Sequence, residues 1–502
     1  MIMQAYSPPS LGRRISRMLK HFPKLRSATA MGERTGRTLP LDIFREIANH
    51  SSDTDVRCLS QCSKELRALL LPELYAEVSL KCGSRKCSAV LNMLSNSPHL
   101  WIYIHTLTLG PDWLSYPIEP SVEGWIISKI SKIIPGLARL HTFYWFGVLP
   151  LPESTLAALR HSCPELRNFA YGTEMQIFSQ ESELFKFRNL VQLSISVREP
   201  GGAAPSTSTD FPPQLCEMVL RNPDLEQLTI DALGKRLEQM AQLLHGRWPK
   251  LWLLKIALFS VPVSAQGQLP TFLTLHPSLT TLGLCFYAGD ILPLVLDHIT
   301  LPLLTSFTGL SQHFCALPST HLLMVLTLED YIDTAEALAP TLVALPRFPF
   351  LNNLEIHLLD GGHISELRLI VSACPHLTTL NISYLACNMN QLKEVTVVLV
   401  QLVWLGSLKI TKPYRLADGT MLSAALLLLA HNRGLRDIHI VCMSAKRWKQ
   451  SGDYNVIATE EIEALEAKEF GSRAVGGSFT RRFRYEVEGR PTLSKGLARI
   501  RL

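Results

Sequence analysis

The cysteines and histidines are where chemistry would first be sought. Eleven cysteines stand at positions 58, 62, 82, 87, 163, 216, 285, 315, 374, 387 and 442. A closed zinc site needs four thiolate or imidazole ligands converging tetrahedrally. CGSRKC brings Cys82 and Cys87 together on what reads as an exposed turn, but no second Cys/His pair lies near them, so no metal is expected. Cys58 and Cys62 are four apart on a helical pattern and are expected to face a core as small hydrophobes. His161 beside Cys163 could form a thiol–imidazole pair. It falls instead at the boundary of a recurring unit, which makes it structural. Glu460 and Glu461 sit in a charged helical stretch and read as a solvated face. Arg481, Arg482 and Arg484 beside Phe483 and Tyr485 could touch RNA by charge and stacking. A net charge of +6 without a concentrated basic face gives no wider reason to expect nucleic acid. G-x-S-x-G, a Walker A loop, H-E-x-x-H and G-x-G-x-x-G are absent from the sequence. No catalytic residue, cofactor or small-molecule substrate is therefore expected, and the chain does not read as an enzyme. An odd, dispersed set of cysteines reads as reduced and intracellular, which places the protein in the cytoplasm, the nucleus or both.

The elements that carry these residues repeat. From about residue 98 a helical segment, a proline or similar breaker, and L-x-x-L-x-L return together. Clear instances are PELRNFAY at 164–171, PDLEQLTI at 223–230, PSLTTLGL at 277–284, PFLNNLEI at 349–356 and PHLTTLNI at 375–382. Some thirteen units share this phase, spaced about 27 residues apart between Leu137 and Leu435. In each short strand the apolar residues alternate, so one face points inward. The stretches 125–134, 214–221, 236–247, 365–374 and 421–430 place apolar residues at i, i+3 and i+4, the pattern of a helix. One strand and one helix cannot close a core, but stacked copies share a continuous one. EPGGAAPSTSTDFPP at 199–213 interrupts the array as a surface loop, and 329–348 is expected to carry the helix of its own unit.

Residues 39–80 precede the array and have a different pattern. Pro40 suits the first turn of a helix. Ile43 and Ile47 recur at i, i+4 with Phe44 beside them, and Ser51, Ser52 and Asp53 end that helix and can cap the next. A second helix carries Val56, Leu59 and Cys62 on one side. A third starts near Ser63, carries Leu66, Leu69 and Leu70, and stops at Pro72. A piece this small cannot bury much by itself. It must pack on the repeats or complete its core on a partner.

This stretch resembles the F-box family through Leu39-Pro40, Ile43, Ile47, Val56, Leu59, Cys62, Leu66 and the closing Leu74-Tyr75. Gln61 departs from the apolar residue usual before the cysteine. The following units resemble leucine-rich repeats, above all the cysteine-containing type found beside F-boxes. SCPELRNF and ACPHLTTLNI, with Cys163 and Cys374 before the proline, match that type best, while most other units lack the cysteine and the asparagine-like turn residue. The resemblance implies an α/β architecture in which a three-helix F-box is followed by an irregular leucine-rich-repeat solenoid, or horseshoe. It also implies that Leu39, Pro40, Ile43, Ile47, Val56, Leu59, Cys62 and Leu66 contact the Skp-type adaptor of a cullin-RING ubiquitin ligase. The repeats would then hold an unknown target protein. The alternative is a repeat scaffold with no ubiquitin role, whose helical piece caps the first repeat.

The expected layout is a basic, disordered tail at 1–36, the F-box at 37–80, the solenoid at 81–442, and a cap with a basic tail at 443–502. Residues 1–38 hold eight Lys/Arg against the single acid Glu33, a composition shared with presequences, membrane-surface helices and nuclear-localisation patches. Beyond 443, TEEIEALEAKEF reads as a short acidic helix and 478–490 alternates like an edge strand. No apolar run reaches the ~18 residues that span a bilayer, so no membrane span is expected.

Overall fold

In the computed structural model, residues 41–442 are described except for connecting stretches, the longest being 112–118, 174–178, 198–211, 261–264, 287–300, 359–363, 384–388 and 413–426. The strands at 480–487 and 497–501 are described as well. Four short helices come first: α1 (Leu41–Asn49), α2 (Asp53–Ser60), α3 (Lys64–Leu69) and α4 (Leu71–Tyr75). Ser52 caps α2, its Oγ accepting from Asp55 N at 3.3 Å, and Ser63 caps α3 by accepting from Leu66 N at 3.1 Å. Pro72 does more than end α3. It lies in the first turn of α4, where its missing N–H leaves no partner unsatisfied.

The strands form a single sheet whose order is the order of the chain. They run β1 (Glu77–Cys82), β2 (Thr106–Pro111), β3 (Thr142–Phe146), β4 (Asn168–Thr173), β5 (Gln192–Val197) and β6 (Gln227–Arg236). Then follow β7 (Leu253–Ser260), β8 (Thr281–Phe286), β9 (Ser306–Gly309), β10 (Val325–Ile332), β11 (Asn353–Leu358) and β12 (Thr379–Ser383). The last are β13 (Ser407–Lys412), β14 (Asp437–Cys442), β15 (Thr480–Val487) and β16 (Leu497–Arg501). Neighbours pair parallel up to β15, and β16 turns back antiparallel. This is a leucine-rich-repeat solenoid of the α/β class.

The L-x-L pairs fall in register. Leu228 and Ile230 oppose Leu254 and Ile256, which oppose Leu282 and Leu284. They point to one side and are buried there against the crossover helices. Those helices present the matching faces: α5 (Pro120–Ile133) buries Ile126, Ile127, Ile130 and Ile133, and α6 (Ile364–Ala373) buries Leu367, Ile370 and Val371. One continuous apolar core runs from Val78 to Ile438. Strands stand about 4.8 Å apart while packed helices need 8–10 Å, so the strand face is the concave one.

Units along the whole array turn into their strands by a shared hydrogen bond. The first leucine of the motif donates its N–H to the carbonyl three residues back, whether a proline precedes it or not: Leu166 to Cys163 at 3.1 Å, Leu225 to Asn222 at 3.4 Å, Leu377 to Cys374 at 3.4 Å and Leu435 to Asn432 at 3.2 Å. The residue supplying that carbonyl is buried, and Asn222 and Asn432 occupy the place that cysteine holds in the best-matching units. Two units thus carry asparagine at that place, while others carry Trp248, His276 or Phe348 there. Asn222 accepts from Leu190 N at 2.8 Å and donates to Met218 O at 2.7 Å, tying two units together. His276 fills the same place. Its Nε2 accepts from Trp248 N at 3.1 Å and its Nδ1 faces Phe272 O at 2.7 Å, so the Nδ1–H tautomer satisfies both. Burial holds the His276 pKa below its ordinary value, which keeps the ring neutral for that role.

Several expectations change. The solenoid begins at β1, inside the stretch assigned to the helical module, because Val78 and Leu80 already carry the alternating pattern. It also continues beyond 443: β15 is a further parallel strand, and β16 is the strand beyond it. The helix expected over 236–247 shrinks to Met240–Leu243, because Arg236 still belongs to β6. The helix within 329–348 is present as Ala335–Ala344, with Pro340 inside it. The basic tail, the loop at 199–213 for the most part, the acidic stretch at 459–470 and most of 421–430 lie outside the described residues. Among the described residues no helix is long and apolar enough to cross a membrane.

Candidate functional site

Two surfaces stand out. The first is α1. Its helical repeat puts Ile43 and Ile47 one turn apart, and both remain exposed, at 45% and 39%. Phe44 is half-buried beside them. The module nevertheless has a core of its own, made of Ala48, Val56 and Leu70 with Leu59 and Leu74 against it. This core is separate from that of the solenoid. The short α4 joins the two, because Leu70 and Leu74 face the module while Leu71 and Tyr75 pack on the solenoid. Arg45 reaches Glu73 at 3.5 Å and links α1 to α4.

The residues proposed for adaptor contact therefore separate. Ile43 and Ile47 are accessible. Val56 is not: it is buried in the module's core and holds the helices together. Leu59 and Leu66 are half-buried. Cys62 is exposed, and so is Cys58, which corrects the expectation that both face a core. Val56 turns inward from α2, while Cys58 on the same helix and Cys62 just past its end stay outside. Leu39 and Pro40 lie outside the described residues.

Cys82 and Cys87 also differ from expectation. They are buried rather than exposed, since β1 ends at Cys82 and the helix Arg85–Ser95 begins beside it. A hydrogen bond between the two thiols pushes Cys82 up and Cys87 down from the ordinary thiol value. Cys163 and Cys374 are pushed up to about 12 by burial, as suits packing rather than nucleophilic groups. No cluster of metal ligands occurs among the described residues.

The second surface is the concave face. In-register pairing lines up the residues between the L-x-L leucines into columns. One column runs Ser79, Thr108, Tyr144, Ala170, Ser194, Thr229, Lys255, Gly283, Thr308, Thr327, Glu355, Asn381, Lys409 and His439. Its first part is mostly small or hydroxylated. Tyr144 donates there to Gln192 at 2.9 Å, and Asn168 donates to Thr142 at 3.0 Å in the neighbouring column. At β11–β13 the column becomes ionisable. Asn381 Nδ2 donates to Glu355 Oε1, and burial pushes the Glu355 carboxyl up to about 7, with Lys409 opposing the shift and Glu329 adding to it. Periodicity alone marks these residues only as outward-facing. Stacking the units by their leucines is the signal that brings them together.

The edge where the chain enters the strands also changes character along the array. Early units pair polar side chains there, His141 with Glu165 at 2.8 Å and Lys250 with Asp224 at 3.2 Å. Later ones expose Leu303, Leu322, Met324, Phe350, Val403 and Trp404.

No family model matches the chain, and no curated protein matches it in sequence. Among solved structures it is similar to a chain of the yeast Rad7–Elc1 complex, with 12% identity and a TM-score of 0.40, over 82% of this chain and 94% of that one. It is also similar to the leucine-rich repeat-containing protein LegL7 from Legionella pneumophila, with 13% identity and a TM-score of 0.27, over 80% and 98% of the two chains. The repeat fold stands on this chain's own strand ladder.

Proposed function

We propose that the protein is the substrate-recognition subunit of an SCF-type (Skp, cullin, F-box) ubiquitin ligase. The helical module docks on the Skp-type adaptor and the concave face holds a target protein. One observation carries this reading: Ile43 and Ile47 stay exposed on α1 although the module's core is closed without them. Both are already more than half buried, so covering the rest on a partner is worth roughly 1 kcal/mol each. The chain supplies no catalytic group under this reading. It holds a target lysine near ubiquitin activated on another subunit, and the rate gain comes from effective concentration. Its place is the cytoplasm or the nucleus.

Co-purification with the Skp-type adaptor tests the reading. Wild type should bring the adaptor down, and Ile43→Asp/Ile47→Asp should lose it while keeping an unchanged circular-dichroism melt. If wild type leaves the adaptor behind, or the double variant retains it, the reading fails. The second reading, a repeat scaffold without a ubiquitin role, draws on a different observation: Leu71 and Tyr75 of α4 pack on the solenoid core as a cap would.

A further inference from the structure

Glu355, Asn381 and Lys409 occupy one column of the concave face on β11, β12 and β13, and His357 and Ser383 lie two residues further along their strands on the same side. Asn381 is only 8% exposed. Its Nδ2 is committed to Glu355, while its Oδ1 has no hydrogen-bond partner, and neither has His357 Nδ1. A buried acceptor without a donor is costly, and few native structures keep one without a reason. Two acceptors, the Glu355 carboxylate and Asn381 Oδ1, thus sit on strands about 4.8 Å apart. Tyr331, 51% exposed, stands at the side of this patch with its ring 5.6 Å from that of His357.

The charge balance is acidic. Glu329 and Asp330 both act electrostatically on His357, Glu329 acts on Glu355 as well, and Lys409 is the opposing cation. Asp330 is partly engaged, accepting from Ser311 N at 2.9 Å and from its Oγ. A carboxylate, an orphaned amide oxygen and an aromatic ring suit a planar, multi-donor cation. Guanidinium offers parallel donors that reach two acceptors at once and a flat face that stacks on a ring. A compact ammonium offers neither.

We propose that this patch holds an arginine side chain of the target protein, with Glu355 and Asn381 Oδ1 as its acceptors and Tyr331 as the ring it lies against. The proposal rests on the reading of the concave face as the target-holding surface, and it supplies the chemistry by which that surface chooses.

Saturation-transfer NMR on the full chain tests it, with N-acetyl-arginine amide as probe and its neutral isostere N-acetyl-citrulline amide as control. Wild type should favour arginine by about tenfold, a ratio within reach of a charge-assisted contact. Glu355→Gln should bring the ratio to about one, and Asn381→Leu should lower it by the same route if the first variant does not fold. Equal saturation by both probes, no saturation by the arginine probe, or a preference that survives the substitution overturns the proposal. The adaptor is not in this assay, so a failure of docking and a failure of arginine recognition give different results.

Discussion

The helical module and the solenoid solve the same problem at opposite scales. The module closes on three buried side chains, Ala48, Val56 and Leu70, and leaves apolar residues outside. The solenoid threads one core through every unit from Val78 to Ile438. In the solenoid each unit borrows stability from two neighbours, whereas the module borrows from one side only, through α4. The contrast implies that the module opens locally at a lower free energy than the repeats and gains most from a bound partner.

The largest expected effect tests the solenoid side. Trp145→Ala removes a fully buried ring from the early repeats and should cost about 3–5 kcal/mol in urea unfolding, with the module lost along with the repeats that support it. Leu70→Ala should cost about 2–5 kcal/mol, but locally. Hydrogen exchange should then show α1–α4 losing protection while β3–β13 keep theirs. Loss of protection throughout would mean that the two cores are not separate.

Glu355 provides a test by pH. Its folded-state value, about 7, lies above the ordinary 4.5, so the folded chain prefers the protonated carboxyl. Its contribution to stability is full below about 4.5 and is lost as pH rises through about 7. Glu355→Gln should flatten that slope and leave the variant more stable than wild type at pH 8 by about 3 kcal/mol in denaturant titrations. The smallest effect is at a cap. Ser52→Ala should cost about 1 kcal/mol, visible as faster exchange in α2 and no change in the solenoid.

The strand ladder was legible because L-x-L is a strong signal repeated in one phase, and the pairing keeps that phase from Leu107 to Ile440. Helices were legible where amphipathicity ran for ten residues, as in Ile364–Ala373. They were less so where a strand ran on into the expected helix, as at Arg236. In the module, spacing placed Val56 and Cys62 on one side, yet the first is buried and the second exposed. A three-helix core this small admits few side chains, and periodicity cannot say which. The concave patch was out of reach for another reason: Glu355, Asn381 and Lys409 are 26 and 28 residues apart in sequence and meet only through register.

Strand order that repeats chain order also bears on how such a protein is made. Each strand pairs only with the one before it and the one after it. A chain emerging from the ribosome therefore finds its partner already laid down, and no segment waits for a distant one to be synthesised. Assembly can keep pace with translation, from the helical module toward the carboxyl terminus, so each repeat would fold onto one already in place.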